Sequence, residues 1–417
     1  MNKRLGIYIH IPFCASKCGY CDFYSKAGCE GDIPAYQRAL LSHLEEAAPT
    51  MAHYEADTVY FGGGTPSYYG AKNICGLLNA VKDMGILRLD SEITMEANPD
   101  SMKPPELKML RKAGVNRLSI GMQSANSDIL RIIGRRHNFA QVQLAVKNAR
   151  DAGFDNLSLD IIYGLPSQSK GDWADTLAKA LELKPEHISC YGLKLEEGTP
   201  MHREYFGSPL IPDEDTQADM YLYAVETLEH YGYKQYEISN FAIEGYESRH
   251  NLKYWLLEPY MGFGPGAFSG VGNLRYSYVK DLNAYISGIN GDRSIVDEYE
   301  KILPMERASE YIMLGMRTVR GISRSEYQGI YLCQWEPLER LLLDFEARGW
   351  TKRTGERWSF TPSGFLVSNR LIGALLESQA AEKVQINPWM QDAYDINEKT
   401  QLPPDDEELF RQLLEKV

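Results

Sequence analysis

Three cysteines, Cys14, Cys18 and Cys21, fall inside eight residues of the stretch HIPFCASKCGYCDF (10–23). Thiols at C-x3-C-x2-C spacing sit on one tight turn, and as thiolates they are soft ligands suited to iron or zinc. Zinc normally takes a fourth Cys or His at comparable spacing, but the residues after Cys21 are Asp22 and Phe23, and the nearest spare thiol is Cys29. Three ligands on a four-iron cluster would leave one iron open to bind something else. The chain has seven cysteines, and an odd count with three crowded together favours metal ligation or reactivity over a disulfide framework. Spacing alone leaves a cluster, a zinc site and ordinary thiols as readings.

Such a loop needs a frame. In the first half of the chain LGIYIHI (5–11), DTVYFGG (57–63), EITMEA (92–97), RLSIGM (117–122), NLSLDIIYG (156–164) and HISCYGL (187–193) are rich in Ile, Val, Leu and Tyr and predict six strands. Between them lie helical patterns such as PAYQRALLSHLEEA, where Leu40, Leu41, Leu44 and Ala48 recur at helical spacing. Strands alternating with helices make a parallel α/β sheet, open or partly closed into a barrel. Ligands of such sheets sit at the C-terminal strand ends, where the βα loops gather. The cysteine loop follows the first strand and GGGTP the second; Glu96 ends the third, Gln123 follows the fourth, and Asp160 lies in the fifth ahead of YGLP. One such residue suits a structural role; five along one rim predict a ligand.

The 417 residues are 44% hydrophobic and 11% aromatic, which argues against disorder and allows one large domain with smaller additions. Lys and Arg total 44 against 57 Asp and Glu, a formal net charge of -13. That balance is a poor match for the electrostatics of nucleic-acid binding, which is set aside. No apolar run approaches the roughly 18 to 20 residues that cross a bilayer, and MNKRLGIYIHI runs into prolines and cysteines rather than a cleavage site. A cytoplasmic location is expected, with any membrane association peripheral and through partners.

From about 200 to 300 the sequence turns Gly- and Tyr-rich and irregular, with HNLKYW (250–255) and GFGPGAFSG (262–270). The G-x-G opening of the latter lacks the framing strand and helix of a dinucleotide site and reads as a close-packed turn. From 304, PMERASEYIMLGMRTVRGIS and LERLLLDFEARGW form amphipathic helices, and WTKRTGERWSFTPSGFLVSNRLIGALLE reads as a hairpin followed by a helix. The order resembles a winged-helix module; with no conspicuous basic recognition helix it is expected to pack rather than to bind DNA. In the tail, LPPDDEELFRQLLEKV has the Pro pair and acidic first turn of a helix start. The expected organisation is a barrel over 1–240, an irregular segment over 241–300, the winged-helix-like module over 301–376 and an accessory tail over 377–417.

C-x3-C-x2-C with an aromatic residue before the last cysteine resembles the signature of the radical S-adenosylmethionine superfamily. YIHIPFC, CDF, FGGGTP, EANPD, GMQS, GRRH and DIIYGLP, in order, extend the resemblance over roughly residues 4 to 370 to its coproporphyrinogen III dehydrogenase branch. The resemblance implies an α/β fold: a partial (βα)6, TIM-like radical SAM barrel with a C-terminal helical, winged-helix-like module. It implies a [4Fe-4S] cluster on Cys14, Cys18 and Cys21, whose fourth iron is chelated by the amino and carboxylate groups of S-adenosylmethionine. By motif, Tyr8 and Tyr20 lie beside cluster and cofactor, and Gly63, Gly64 and Thr65 approach the methionine part. Glu96, Gln123, Arg135 and Asp160 supply polar contacts to the amino acid, ribose and carboxylate. Glycines suit the methionine end because backbone without side chains can approach a zwitterion closely.

Three functions share this scaffold: an oxygen-independent coproporphyrinogen III dehydrogenase, a haem chaperone of the HemW type, and a radical enzyme that modifies the haem macrocycle. The dehydrogenases carry a further cysteine two positions after the third ligand, where this chain has Phe23, as the chaperones do. HNLKYW also matches the H-N-x-x-Y-W motif of the chaperones through His250, Asn251, Tyr254 and Trp255. Imidazole is a common ligand of haem iron and aromatic rings can cover the macrocycle, so the resemblance makes His250 the expected axial ligand. The expected function is capture of haem and its transfer to apo-haemoproteins, such as respiratory-chain proteins. The resemblance implies weak or regulatory cleavage of S-adenosylmethionine, and no catalytic residue is assigned.

Overall fold

A computed structural model describes residues 3–291 and 293–383. The helix expected at 402–417 lies outside the described residues. Six βα units follow one another: β1 (Lys3–Ile11), α1 (Ile33–Met51), β2 (Tyr54–Gly63), α2 (Ala71–Asp83), β3 (Leu87–Ala97), α3 (Pro104–Ala113), β4 (Arg117–Gln123), α4 (Phe139–Asp151), β5 (Leu157–Tyr163), α5 (Lys170–Glu182), β6 (His187–Gly192) and α6 (Glu214–His230). The strands β1 to β6 pair in parallel, in sequence order. Local signals start the helices where the sheet needs them: Asn138 and Ser169 close capping boxes at the heads of α4 and α5.

Side chains alternate along every strand, and the alternation divides the architecture. Ile7, Ile9, Val59, Phe61, Met95, Leu118, Ile120, Leu157, Leu159 and Ile188 are buried in one continuous core. Their neighbours in the strands are Tyr8, His10, Tyr60, Glu96, Arg117, Ser119, Ser158, Asp160, His187 and Ser189. Period-two placement therefore gives the sheet an apolar face for the helices and a polar face for the barrel interior.

The stretch read as irregular over 241–300 is instead regular and extends the sheet. Beyond β7 (Asn240–Ala242), which pairs antiparallel with β6, the chain forms α7 (Arg249–Trp255) and β8 (Tyr260–Phe263). Strand β8 pairs in parallel with β1, and β9 (Phe268–Val271), β10 (Leu274–Tyr278) and, after α8 (Leu282–Asn290), β11 (Val296–Lys301) add antiparallel strands beyond it. The glycines that mask these strands in sequence serve close approach: the Tyr260 ring lies where a Gly270 side chain would stand, 2.9 Å from its place. Twelve strands among the described residues thus form one open sheet, with β8 to β11 beyond β1, and β7 and then the two-residue strand Lys234–Gln235 beyond β6.

The C-terminal module contains α9 (Pro304–Gly315), α10 (Arg324–Tyr331), α11 (Glu336–Ala347), the hairpin β12 (Thr351–Thr354) and β13 (Arg357–Phe360), and α12 (Ser368–Lys383). Gly355, at φ +62°, makes the hairpin turn, and Ile322–Ser323 pairs with β13 to give the small sheet of a winged-helix-like arrangement. Backbone bonds from Ile238 to Arg317 and from Val319 to Tyr236, at 2.9 and 3.1 Å, join the module to the β7 side of the barrel.

Candidate functional site

The loop that leaves β1 carries Cys14, Cys18 and Cys21 over the C-terminal rim of the barrel. Four backbone bonds set its course: Gly19 N–H to Ile133 (3.2 Å), Met201 N–H to Gly19 (3.0 Å), and Gly64 and Thr65 N–H to Ile11 and Phe13 (both 2.8 Å). All three thiols are free of disulfides. Two of them face donors: Thr65 Oγ1 lies 3.3 Å from Cys14 Sγ, and Arg135 Nη1 3.8 Å from Cys18 Sγ. Donors aimed at sulfur stabilise thiolates and tune a cluster bound to them. Burial raises the Cys14 and Cys21 thiols above their ordinary values, an effect that a bound metal's charge reverses. Among the described residues no three His, Cys, Asp or Glu side chains converge on the point a single metal ion would occupy. A four-iron cluster does not require that, because each cysteine binds a different iron.

Two observations test whether an anionic cofactor fits beside such a cluster. Arg135 also donates to Asn98 Oδ1 (3.0 Å) and the Gly121 carbonyl (3.2 Å), while its buried Nε has no partner among the described residues. A buried guanidinium with an unspent N–H suits a carboxylate or hydroxyl ligand. At Gly64 an added Cβ would stand 2.7 Å from the Ile11 carbonyl oxygen, 2.9 Å from that of Phe13 and 3.1 Å from Cys14 Sγ, so only glycine lets backbone and thiol meet there. The residues present fit a [4Fe-4S] cluster on the three thiols with a zwitterionic cofactor against Gly63, Gly64 and Arg135. Such a cluster, once bound to three thiolates, would supply one iron open to a further ligand.

Glu96, the next group inward, accepts from the Tyr60 hydroxyl at 2.8 Å and from Gly63 N–H at 3.1 Å. Burial, foremost, holds its carboxyl at about 7. Tyr8 meets His10 Nδ1 at 3.0 Å, His10 Nε2 meets the Tyr24 carbonyl at 2.9 Å, and burial pushes the imidazole down to about 4. Tyr20, between Cys18 and Cys21 in the loop, packs against the apolar cluster that contains Ile133, Ile162 and Met201. Gln123 ends β4 at φ +61°, a left-handed conformation that non-glycine residues rarely adopt and that is frequent at ligand sites.

Asp160 lies in the barrel interior and is met by three hydroxyls, from Ser189 (2.8 Å), Ser119 (3.0 Å) and Ser158 (3.3 Å). Burial raises its carboxyl despite those donors. The structure therefore brings the cysteines, Thr65, Gly63, Gly64, Arg135, Tyr8, Tyr20 and Glu96 to one end of the barrel and places Asp160 in a serine cage of its own. Asn98 and His10 belong to the same end and were not assigned from sequence. Their signal was the period-two recurrence of polar residues in strands otherwise rich in Ile and Leu.

His250 is placed otherwise than an accessible ligand would be. It is buried, its Nδ1 lies 2.8 Å from Thr58 Oγ1, and its Nε2 lies 2.8 Å from the Tyr254 hydroxyl. Its ring stacks near Tyr60 and Tyr8, 5.1 and 6.4 Å between centroids, and lies beside Gly6 in the barrel interior. Ser248 caps α7, and Glu92 accepts the Arg249 and His250 N–H groups at 3.0 and 3.1 Å, fixing the helix that carries the motif. Asn251, Tyr254 and Trp255 of the motif line a cleft of about 950 Å³. It lies between α7, β8 to β10, the 237–240 edge and α9.

Comparison with known proteins agrees with this geometry. A family model described as the radical SAM superfamily matches residues 8–180, and one described as the HemN C-terminal domain matches residues 302–367. Coproporphyrinogen III oxidase (HemN) from Escherichia coli superposes with a TM-score of 0.79 over 90% of each chain at 21% identity, which establishes the common fold. Fold and cysteine rim together define a radical SAM protein with a HemN-type C-terminal domain. Among curated relatives, the heme chaperone HemW of Bacillus subtilis (strain 168) is 34% identical over 372 residues, 88% of this chain and 98% of the relative. That of Escherichia coli (strain K12) is 34% identical over 382 residues, 89% and 98% respectively, and that of Lactococcus lactis 35% over 339, 81% and 88%. The chain belongs to the heme chaperone HemW family.

Proposed function

We propose that this protein captures haem and hands it to apo-haemoproteins, on a radical SAM scaffold that holds a [4Fe-4S] cluster and S-adenosylmethionine. The observation that carries the reading is 34% identity to heme chaperones HemW over 88–89% of this chain. The site is consistent with it. Cys14, Cys18 and Cys21 hold the cluster, and Gly63, Gly64, Thr65, Glu96, Gln123, Arg135 and Asp160, with Tyr8 and Tyr20 beside them, serve the cofactor. Phe23, 69% exposed beside the cysteine loop, stands where a dehydrogenase of this fold has a cysteine. His250 is the proposed iron ligand; to serve, its Nε2 must leave the Tyr254 hydroxyl. Clients are apo-haemoproteins such as respiratory-chain proteins, the protein itself is cytoplasmic, and contact with a membrane runs through those clients. No helix among the described residues is long and apolar enough to cross one.

The test is paired. The anaerobically reconstituted protein is titrated with haem, then mixed with an apo-haemoprotein while the Soret band is followed, and separately supplied with coproporphyrinogen III and S-adenosylmethionine. Haem binding and transfer without decarboxylation supports the proposal. Turnover to protoporphyrinogen IX without haem transfer returns the dehydrogenase.

A further inference from the structure

The cleft that Asn251, Tyr254 and Trp255 line has a chemistry of its own. At about 950 Å³ it lies at the upper end of cofactor-sized pockets. Trp255, Tyr260, Phe268 and Met313 contribute flat or pliable apolar walls. On α9 and β10, two cations share one carboxylate: Arg275 Nη2 lies 2.5 Å from Glu310 Oε1, and Arg307 Nη1 2.8 Å from Glu310 Oε2. A weaker approach links Arg275 to Glu300 at 3.7 Å, and Arg307 also donates to the Gly272 carbonyl at 2.7 Å. The other acids of the lining are committed elsewhere. Glu258 pairs with Lys253 at 3.0 Å, and Glu237, bonded to Asn240, is held at about 7 by burial. An aromatic slot with paired guanidiniums at one wall is complementary to a planar macrocycle that carries carboxylates.

We propose that haem seats in this cleft, its ring between Trp255 and the Tyr260–Phe268 wall and its propionates toward Arg275 and Arg307. The inference rests on the haem-binding reading and adds a location and a basis for selectivity. The HNLKYW helix then serves the site from one side: Trp255 faces the ring, and Tyr254, bonded to His250 Nε2, must swing aside for His250 to meet the iron. Because the opposite wall belongs to α9, the C-terminal module is part of the binding site and not a passive addition.

The test compares haem with its dimethyl ester, which masks both propionates, by Soret titration of the reconstituted protein, the double variant Arg275→Gln/Arg307→Gln, and Met313→Trp, which fills the cleft. Iron content and circular dichroism report integrity. Expected are a preference of the parent for haem over the diester of about tenfold or more, loss of that preference in the double variant, and weakened binding of both ligands by Met313→Trp. If the parent shows no preference, or if Met313→Trp binds haem as the parent does, the cleft is not the site. Should the double variant fail to fold, the parent's preference and Met313→Trp still decide. Failure of the parent to bind either ligand removes the haem reading itself, a result distinct from haem binding that ignores the cleft.

Discussion

The Tyr254 hydroxyl lies 2.8 Å from Nε2 of His250, and the same tyrosine lines the large cleft, so one side chain links the barrel interior to the cleft. Removing only that hydroxyl separates the two roles. Tyr254→Phe keeps the aromatic wall but strands a buried imidazole nitrogen, which is expected to destabilise the fold by about 1–3 kcal/mol. If His250 is the iron ligand, the variant also binds haem at least as tightly as the parent, because Nε2 no longer needs to exchange partners. His250→Ala, still carrying its cluster, is expected to lose haem affinity. Equal affinity in parent and His250→Ala would remove the ligand assignment.

The proposed cluster rests on three cysteines and not on a fourth. Cys14→Ala, Cys18→Ala and Cys21→Ala are each expected to abolish the charge-transfer absorbance and most of the bound iron after anaerobic reconstitution. Cys29, whose thiol points to the Ala27 carbonyl at 3.6 Å, is expected to be dispensable. Iron analysis of the four variants decides, and loss of iron in Cys29→Ala would revise the ligand set.

Gly64→Ala forces a methyl group against two backbone carbonyls, neither of which can rotate away. Overpacking of that kind costs about 1–3 kcal/mol. The expected outcome is a lower Tm together with reduced S-adenosylmethionine binding in equilibrium dialysis. Unchanged values of both would show that the cysteine loop yields.

Acid should weaken the fold. His43, between the hydroxyls of Tyr285 and Tyr278, and His250 are pushed down to about 3, and His187 well below its ordinary value, in each case by burial first. Their folded values lie below the unfolded value of about 6.5, so the folded state binds fewer protons and stability falls as pH drops below it. Glu96 and Glu237, held at about 7, act oppositely: their contribution is present in acid and is lost as pH rises through 7. With His10 and His137, also pushed down by burial, five histidines outnumber the three raised carboxyls Glu96, Glu237 and Asp160, so Tm is expected to fall between pH 7 and pH 5. A flat or rising Tm would mean that the imidazoles take up protons in place.

The sequence made the barrel legible because runs such as DTVYFGG and RLSIGM carry β-formers in each of six separated places. The cysteine rim was legible because its ligands are local in sequence. What lay hidden was non-local. The strands β8 to β10 contain glycines whose role is set by partners such as Tyr260, which no local pattern reveals. The polar lumen was visible only as single residues until alternation placed Tyr60, Glu96, Ser119 and Asp160 on one face. His250 was legible as a motif member but not as a buried one, because its partner Thr58 lies on β2, 192 residues away.

The pairing of β8 with β1 has a consequence for the order in which this protein is made. One edge of β1 meets β2 early, but its other edge waits for residues 260–263, which leave the ribosome about ten to fifty seconds later at ordinary elongation rates. Until then the first strand of the barrel presents an open row of backbone donors and acceptors next to the three cysteines. The segment that directly follows HNLKYW thus seals the nascent N-terminal edge, tying completion of the cysteine-bearing half of the barrel to its arrival.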